Sequence, residues 1–392
     1  MSIYNQSLQL HAENKGKFGT HSKVQVLTRN DLSTVYSPGV AEPSRAIAKD
    51  EELVYEYTPK GNMIAVVSDG SAVLGLGNIG AKAAIPVMEG KAILFKNLAD
   101  VDAVPICLDT QDPDEIVKTV KYLAPMFGAI NLEDISAPRC FEIEKRLKET
   151  LDIPVFHDDQ HGTAICVLAG LINAHRVLNK DIFNSRVVIN GAGAAGNAIV
   201  QLLLAYGIKD IIVCDINGIL NINNSDSLLN ESHHSLASVT NINTLDGKLS
   251  DALVDADVFI GVSKGGLVTT EMIKTMKSDS IVFAMANPEP EILPADALAG
   301  GAKIVGTGRS DFPNMINNVM IFPGILKGAL MARAKDINKD MYIAAAHALA
   351  NLLPESELGI ENLFPDPLDR NIATVVAKAT YEAAHKAGLS RI

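Results

Sequence analysis

Apolar residues along the chain fall into two alternating patterns: short continuous runs, and longer stretches in which they recur every third or fourth position. The short runs predict buried strands at "MIAVVSDG" (63–70), "GKAILFK" (90–96), "DAVPICLD" (102–109), "AINLEDIS" (129–136) and "IPVFHDD" (153–159). The periodic stretches predict helices over 112–127 and 139–150, and a long apolar helix from Gly162 to about Val177. A second series of runs follows at "SRVVIN", "DIIVC", "ADVFIGVS", "SIVFAMANP" and "AKIVGTG", and helical patterns over 341–353 and 371–388 close the chain. The first 30 or so residues are polar and read as helical or irregular, and "VYSPGVAEPSR" (35–45) reads as a proline turn. Strands that alternate with helices imply parallel sheets, hence an α/β fold in two units, residues 1–160 and 161–392. Residues 217–244, rich in Asn and Ser, read as a surface loop.

G-x-G-x-x-G occurs twice, as Gly75/Gly77/Gly80 and as Gly191/Gly193/Gly196. The pattern alone is weak and needs strand, turn and helix around it. The second copy has all three: "RVVIN" enters, "AAGNAIVQLLLAYG" leaves without a proline, and "DIIVC" ends at Asp215, where a ribose-binding acid belongs. Residues 161–392 therefore read as a Rossmann-like, doubly wound unit. Gly191, Ala192, Gly193, Ala194, Ala195 and Gly196 form the expected dinucleotide turn, with a helix N-terminus facing the pyrophosphate. Pro86 interrupts the helix after the first copy, which reads as a glycine packing segment. From Ile216 to Gly247 there is no Lys or Arg to meet a 2′-phosphate, so NAD is expected ahead of NADP.

Ligands of an open parallel sheet gather beyond the carboxyl ends of its strands. Glu133–Asp134 and Asp158–Asp159 stand at two such ends. Converging carboxylates without basic neighbours call for a hard divalent cation, Mg²⁺ or Mn²⁺. The alternative, that Glu133 and Asp159 only cap helices, stays open. His157 and His161 lack the third ligand a zinc site needs. Lys91, at the start of an expected strand near these carboxylates, is either a base of lowered pKa or a solvated lysine; Tyr36 is either an acid or packing.

Composition narrows the classes. The 392 residues carry a formal net charge of −12 with no basic run, which disfavours nucleic acid as a partner. No apolar stretch is long enough to span a bilayer and no signal peptide is evident, so a soluble, cytoplasmic protein is expected. Cys107, Cys140, Cys166 and Cys214 form no C-x-x-C pair and read as small buried hydrophobes.

Taken together, "YSPGVAEPSR", "SDGSAVLGLGNIG", "PVMEGKAILFK", "INLEDI", "FHDDQHGTA", "INGAGAAGNAI", "MANPEPEI" and "NNVMIFPG" resemble the malic enzyme family in its short bacterial form, in order from Tyr36 to Gly324. The resemblance implies oxidative decarboxylation of L-malate to pyruvate and CO₂ with NAD or NADP and Mg²⁺ or Mn²⁺. It also implies activity on oxaloacetate and a homodimer or homotetramer. By the same resemblance Glu133, Asp134 and Asp159 are metal ligands. Lys91 is the base at the C2 hydroxyl, Asp158 its charged neighbour, and Tyr36 the acid. Asn287 and Asn318 touch substrate or nicotinamide. An arginine of the long-form members is Ala72 here, so the substrate carboxylate needs another partner. Two alternatives accompany this reading: a metal-dependent oxaloacetate decarboxylase without net redox, and a non-catalytic nucleotide sensor.

Overall fold

A computed structural model describes residues 2–73 and 75–392; Leu74, inside the first glycine segment, lies outside the described residues. Two sheets organise the chain. The first contains β1 (Met63–Ser68), β2 (Asp102–Cys107), β3 (Ala129–Leu132) and β4 (Val155–His157), all parallel, in the order β2-β1-β3-β4. Register sets the later chemistry: Val67 lies opposite Leu132, and Leu132 opposite His157. The strands therefore end level, and the residues that follow β3 and β4, Glu133 and Asp158, emerge side by side.

The second sheet contains β5 (Val187–Asn190), β6 (Ile211–Asp215), β7 (Gly218–Ile219), β8 (Val258–Gly261), β9 (Ile281–Ala284) and β10 (Ile304–Thr307), in the order β10-β9-β8-β5-β6-β7. All pair in parallel except the short edge strand β7. Strands β5, β8, β9 and β10 are buried throughout, as their unbroken Val/Ile/Phe runs require of a sheet covered on both faces.

The segment 90–96 is not a strand. It belongs to a continuous helix, Gly80–Ala99, with Pro86 inside it. Its buried residues, Ala81, Ala84, Met88, Lys91, Ala92 and Phe95, recur every three or four positions, the helical period that a short apolar run conceals. An interior proline costs about 3 kcal/mol. Full burial of Met88 and Phe95, worth roughly 1.5–3 kcal/mol each, offsets it. The long apolar helix starts earlier than Gly162: it runs Asp158–Leu178, so Asp158 and Asp159 form its first turn, where the helix dipole favours negative charge.

The Asn/Ser-rich segment is also more than a surface loop. It holds β7 and a short helix, Glu231–Ala237, and it buries Asn221, Ser227, His233 and Asn241. The N-terminal residues form helices Ile3–Asn14 and Arg29–Val35, neither with a buried residue. The C-terminal helices Phe322–Met331 and Arg370–Lys386 pack on each other and back onto Gly80–Ala99. Among the described residues no helix is long and apolar enough to cross a membrane. All four cysteines are free, with Cys140, Cys166 and Cys214 buried and Cys107 half-buried.

Candidate active site

Level strand ends gather four carboxylates around one lysine. Glu133, Asp134 and Asp159 bring one oxygen each within 4.8 Å of one another. Lys91, reaching in from its helix, places Nζ 2.8 Å from Glu133 Oε1 and 2.5 Å from Asp158 Oδ2, with the Phe322 ring 4.0 Å away. Asn131 on β3 donates to Glu133 Oε2 and holds that carboxylate. Asp134 adopts a left-handed conformation, φ 55°, which Asp tolerates better than most residues. That turn aims its N–H at Asp159 Oδ2, 2.8 Å away, and its carbonyl at the N–H of Ala72. Asp159 thus bonds across the cluster rather than capping its helix.

Burial lowers the Lys91 ammonium, but Asp158, Glu133 and Asp159 together outweigh it and hold its pKa above the ordinary lysine value. The expected lowered pKa is not found: these three carboxylates keep this lysine charged. Burial in turn raises the carboxyl groups of Glu133, Asp158 and Asp159 against the pull of Lys91. Four acids against one cation leave the cluster short of positive charge, the donor set a hard divalent cation fits. The two histidines are not part of that set. His157 is buried behind Asp159, its Nδ1 3.8 Å from Oδ2, and burial lowers its pKa to about 4. His161 turns away and donates from Nε2 to Glu144 at 2.8 Å.

The dinucleotide turn is built as its glycines require. Gly191 takes φ 113°, and a side chain at Gly196 would lie 1.8 Å from the Gly191 carbonyl oxygen. Helix Ala194–Tyr206 starts at Gly193 with no side-chain cap, leaving its first N–H groups for an anion. Asp215, at the end of β6, accepts from the N–H groups of Ala192 at 3.2 Å and Ile216 at 2.7 Å. These features fit a pyrophosphate and a ribose.

The turn and the acid cluster open onto one cleft of about 580 Å³, lined by Asp134 and Asp159 and by Ala194 and Ala195. Asn287 and Asn318 line it as well. So do Gly75 and Gly77, which places the first glycine segment at the same cleft, where Gly75 packs against the Asn287–Pro288 segment. The Asn287 loop is clasped from below by Glu291, fully buried, which accepts from the N–H groups of Ser263 and Ala286.

Residues 15–148 match the family profile of the malic enzyme N-terminal domain, and residues 160–385 that of the malic enzyme NAD binding domain. The chain belongs to the malic enzyme family. It is 55% identical over 392 residues to a bifunctional malic/malolactic enzyme of Bacillus subtilis, covering 100% of this chain and 95% of the relative. It is 54% identical over 376 residues to an NAD-dependent malic enzyme of Geobacillus stearothermophilus, covering 96% and 78%. A crystal structure of malic enzyme from Pyrococcus horikoshii superimposes with a TM-score of 0.95 at 47% identity, covering 100% of this chain and 92% of that one. Other relatives, such as one from Rhizobium meliloti at 46% identity over 404 residues, covering 98% of this chain and 52% of the relative, are named NADP-dependent.

Within this malic enzyme fold, the structure brings together Lys91, Glu133, Asp134, Asp158 and Asp159, and it sets Asn287, Asn318 and the 191–196 turn around the same cleft. It does not bring Tyr36 there: that residue is 69% exposed at the end of helix Arg29–Val35 and does not line the cleft. Sequence reasoning missed Asn131, Glu144 and Glu291. Asn131 and Glu291 lie in quoted motifs, "INLEDI" and "MANPEPEI", but their roles are carried by contacts that span turns. Glu144 lay hidden on the buried face of an amphipathic helix.

Proposed function

We propose that this chain oxidatively decarboxylates L-malate to pyruvate and CO₂, reducing NAD in preference to NADP. The observation that carries the proposal is the single cleft, lined both by Asp134 and Asp159 of the acid cluster and by Ala194 and Ala195 of the dinucleotide turn. In this reading residues 1–160 supply the acid–base groups and residues 161–392 the dinucleotide site. Glu133, Asp134 and Asp159 would hold Mg²⁺ or Mn²⁺, which would supply Lewis-acid polarisation of the C2 oxygen and offset the negative field around Lys91. With a divalent cation offsetting the field that otherwise keeps it charged, Lys91 in its neutral form would take the proton from the C2 hydroxyl as hydride leaves C2, and Asp158 would orient its Nζ and balance the charge it gains. Asn287 and Asn318 position substrate and nicotinamide. Decarboxylation leaves an enol that needs a proton at C3.

Tyr36 is the proposed donor of that proton, and its exposure ties the assignment to oligomer formation. Leu27, Leu32 and Val35, close to it in sequence, are exposed as well. A second copy of the chain docked there, in a homodimer or homotetramer, would supply Tyr36 across the interface. The cytoplasm is the proposed compartment, in keeping with four free cysteines.

The deciding assay supplies L-malate, Mn²⁺ and either NAD or NADP, and follows reduced nicotinamide and pyruvate together. Equal formation of both, faster with NAD, is expected. Faster turnover with NADP would overturn the cofactor preference alone. Pyruvate from oxaloacetate with metal, and no reduction with malate, would make the chain a decarboxylase without net redox. The B. subtilis relative's bifunctional name favours a second reading, malolactic conversion at the same site, which lactate formation from malate would reveal.

A further inference from the structure

His233 stands in the segment that carries no Lys or Arg, yet it is 4% exposed and faces the nucleotide side of the second sheet. Its Nε2 lies 3.3 Å from Asp215 Oδ2. Its Nδ1 accepts the N–H of Leu229 at 3.3 Å, which leaves Nε2 as the ring nitrogen beside Asp215. The ring is itself held. Asn230 caps the His233 N–H at 3.0 Å, and the neighbouring Ser232 accepts from Asn197 on helix Ala194–Tyr206 at 3.0 Å. Leu236, on the same short helix, is fully buried.

We infer that His233 is a specificity-determining positioning residue for the dinucleotide, acting through Asp215. A carboxylate offers about four lone-pair sites. Asp215 Oδ2 accepts from Ala192 N–H and has His233 Nε2 beside it at 3.3 Å, and Oδ1 accepts from Ile216 N–H. The remaining Oδ1 site accepts a ribose hydroxyl. A 2′-phosphate has no such proton to give and is repelled by the fixed negative charge. With the His233 ring gone from beside Oδ2, the carboxylate is free to turn aside, which weakens the grip on ribose and relaxes the exclusion of phosphate. This inference rests on the reading of Asp215 as the ribose acid.

The test measures binding, without substrate, by titrating NADH and NADPH fluorescence on the purified enzyme; the chain has no Trp to complicate the signal. His233→Ala is expected to raise the NADH Kd about tenfold, the worth of one polar contact to a charged group. The NADPH Kd should stay level or fall, and the Mn²⁺-dependent rise in Tm should be retained. His233→Gln, which can present an amide N–H near the Nε2 position, should recover most of the preference; His233→Asn, too short to reach, should not. If His233→Ala does not fold, that Gln/Asn contrast carries the test. An NADH/NADPH ratio unchanged in His233→Ala, or equal in the Gln and Asn variants, overturns the inference while Asp215→Ala still weakens NADH. If Asp215→Ala leaves NADH binding unchanged, the ribose assignment fails first and the inference with it.

Discussion

Lys91 donates to Asp158 at 2.5 Å, although the two residues lie 67 positions apart on different helices. Lys91 is 9% exposed and Asp158 fully buried. An ion pair so enclosed is a costly way to stabilise a fold, since desolvation consumes most of the attraction. Its value lies in position: Asp158, in the first turn of its helix, holds the ammonium at the edge of the acid cluster.

Stability and turnover therefore separate at this pair. Lys91→Met leaves Asp158 buried without a partner and should cost about 3–5 kcal/mol in denaturant unfolding. The double variant Lys91→Met/Asp158→Asn should recover much of that loss. Neither should oxidise malate above a level reduced on the order of 10²–10⁴-fold, the range for a lost general base, while NADH binding stays near wild type. Turnover that recovers along with stability in the double variant would remove Lys91 from the chemistry.

The acid cluster makes metal binding readable without catalysis. Mn²⁺ at about 100 times its Kd should add about 2.7 kcal/mol to the unfolding free energy, and a chelator should abolish the gain. Asp159→Ala removes one of the three converging oxygens. It should lose the Mn²⁺-dependent rise in Tm as well as activity. A full rise in that variant would place the cation elsewhere.

Glu144 gives the acid limb of stability a definite sign. Burial would raise its carboxyl, but His161, Lys148 and His157 bring its pKa down to about 2, from an ordinary 4.5. A carboxyl lowered in the folded state stabilises it above the ordinary value, and that contribution is lost as pH falls from about 4.5 towards 2. The shift corresponds to about 3 kcal/mol. Glu144→Gln should lose roughly this much at pH 7 and show a flatter decline between pH 4.5 and 2.5, measured by urea unfolding across that range. Parallel wild-type and variant curves would show that the contacts to His161 and Gln160 carry no net charge effect.

The residues that lay at strand ends were legible because their positions follow from local rules. Glu133 and Asp158 emerge side by side once parallel strands are set in register, and a glycine turn between strand and helix announces its own use. Lys91 was recognised by motif, yet its helix was read as a strand, because a run such as "KAILF" satisfies both periods and only its neighbours decide. Its pKa was misjudged for a different reason: the sign of the shift depends on how many carboxylates converge, a property of tertiary geometry. The approach of His233 to Asp215 is likewise a property of tertiary geometry. Asparagine and serine around it suggested solvent, but their polar groups are satisfied inside a packed turn: Ser227 Oγ accepts the Asn221 backbone N–H, and the Asn221 side-chain amide donates to Asp246.

Tyr36 offers the sharpest test of how copies of the chain cooperate. It is exposed and does not line the chain's own cleft. If a partner copy supplies it, a Lys91→Ala chain and a Tyr36→Phe chain are each inactive alone. A mixed dimer then holds one site with both lesions and one site intact, because a two-fold interface exchanges the same surface both ways. Unfolding and refolding an equal mixture should restore about a quarter of wild-type activity, since about half the dimers are mixed and each has one working site. Recovery should follow the fraction of mixed dimers resolved by differently tagged chains. An inactive mixture of two well-folded variants would return the proton to a donor within one chain, and full activity of Tyr36→Phe alone would remove Tyr36 from the reaction.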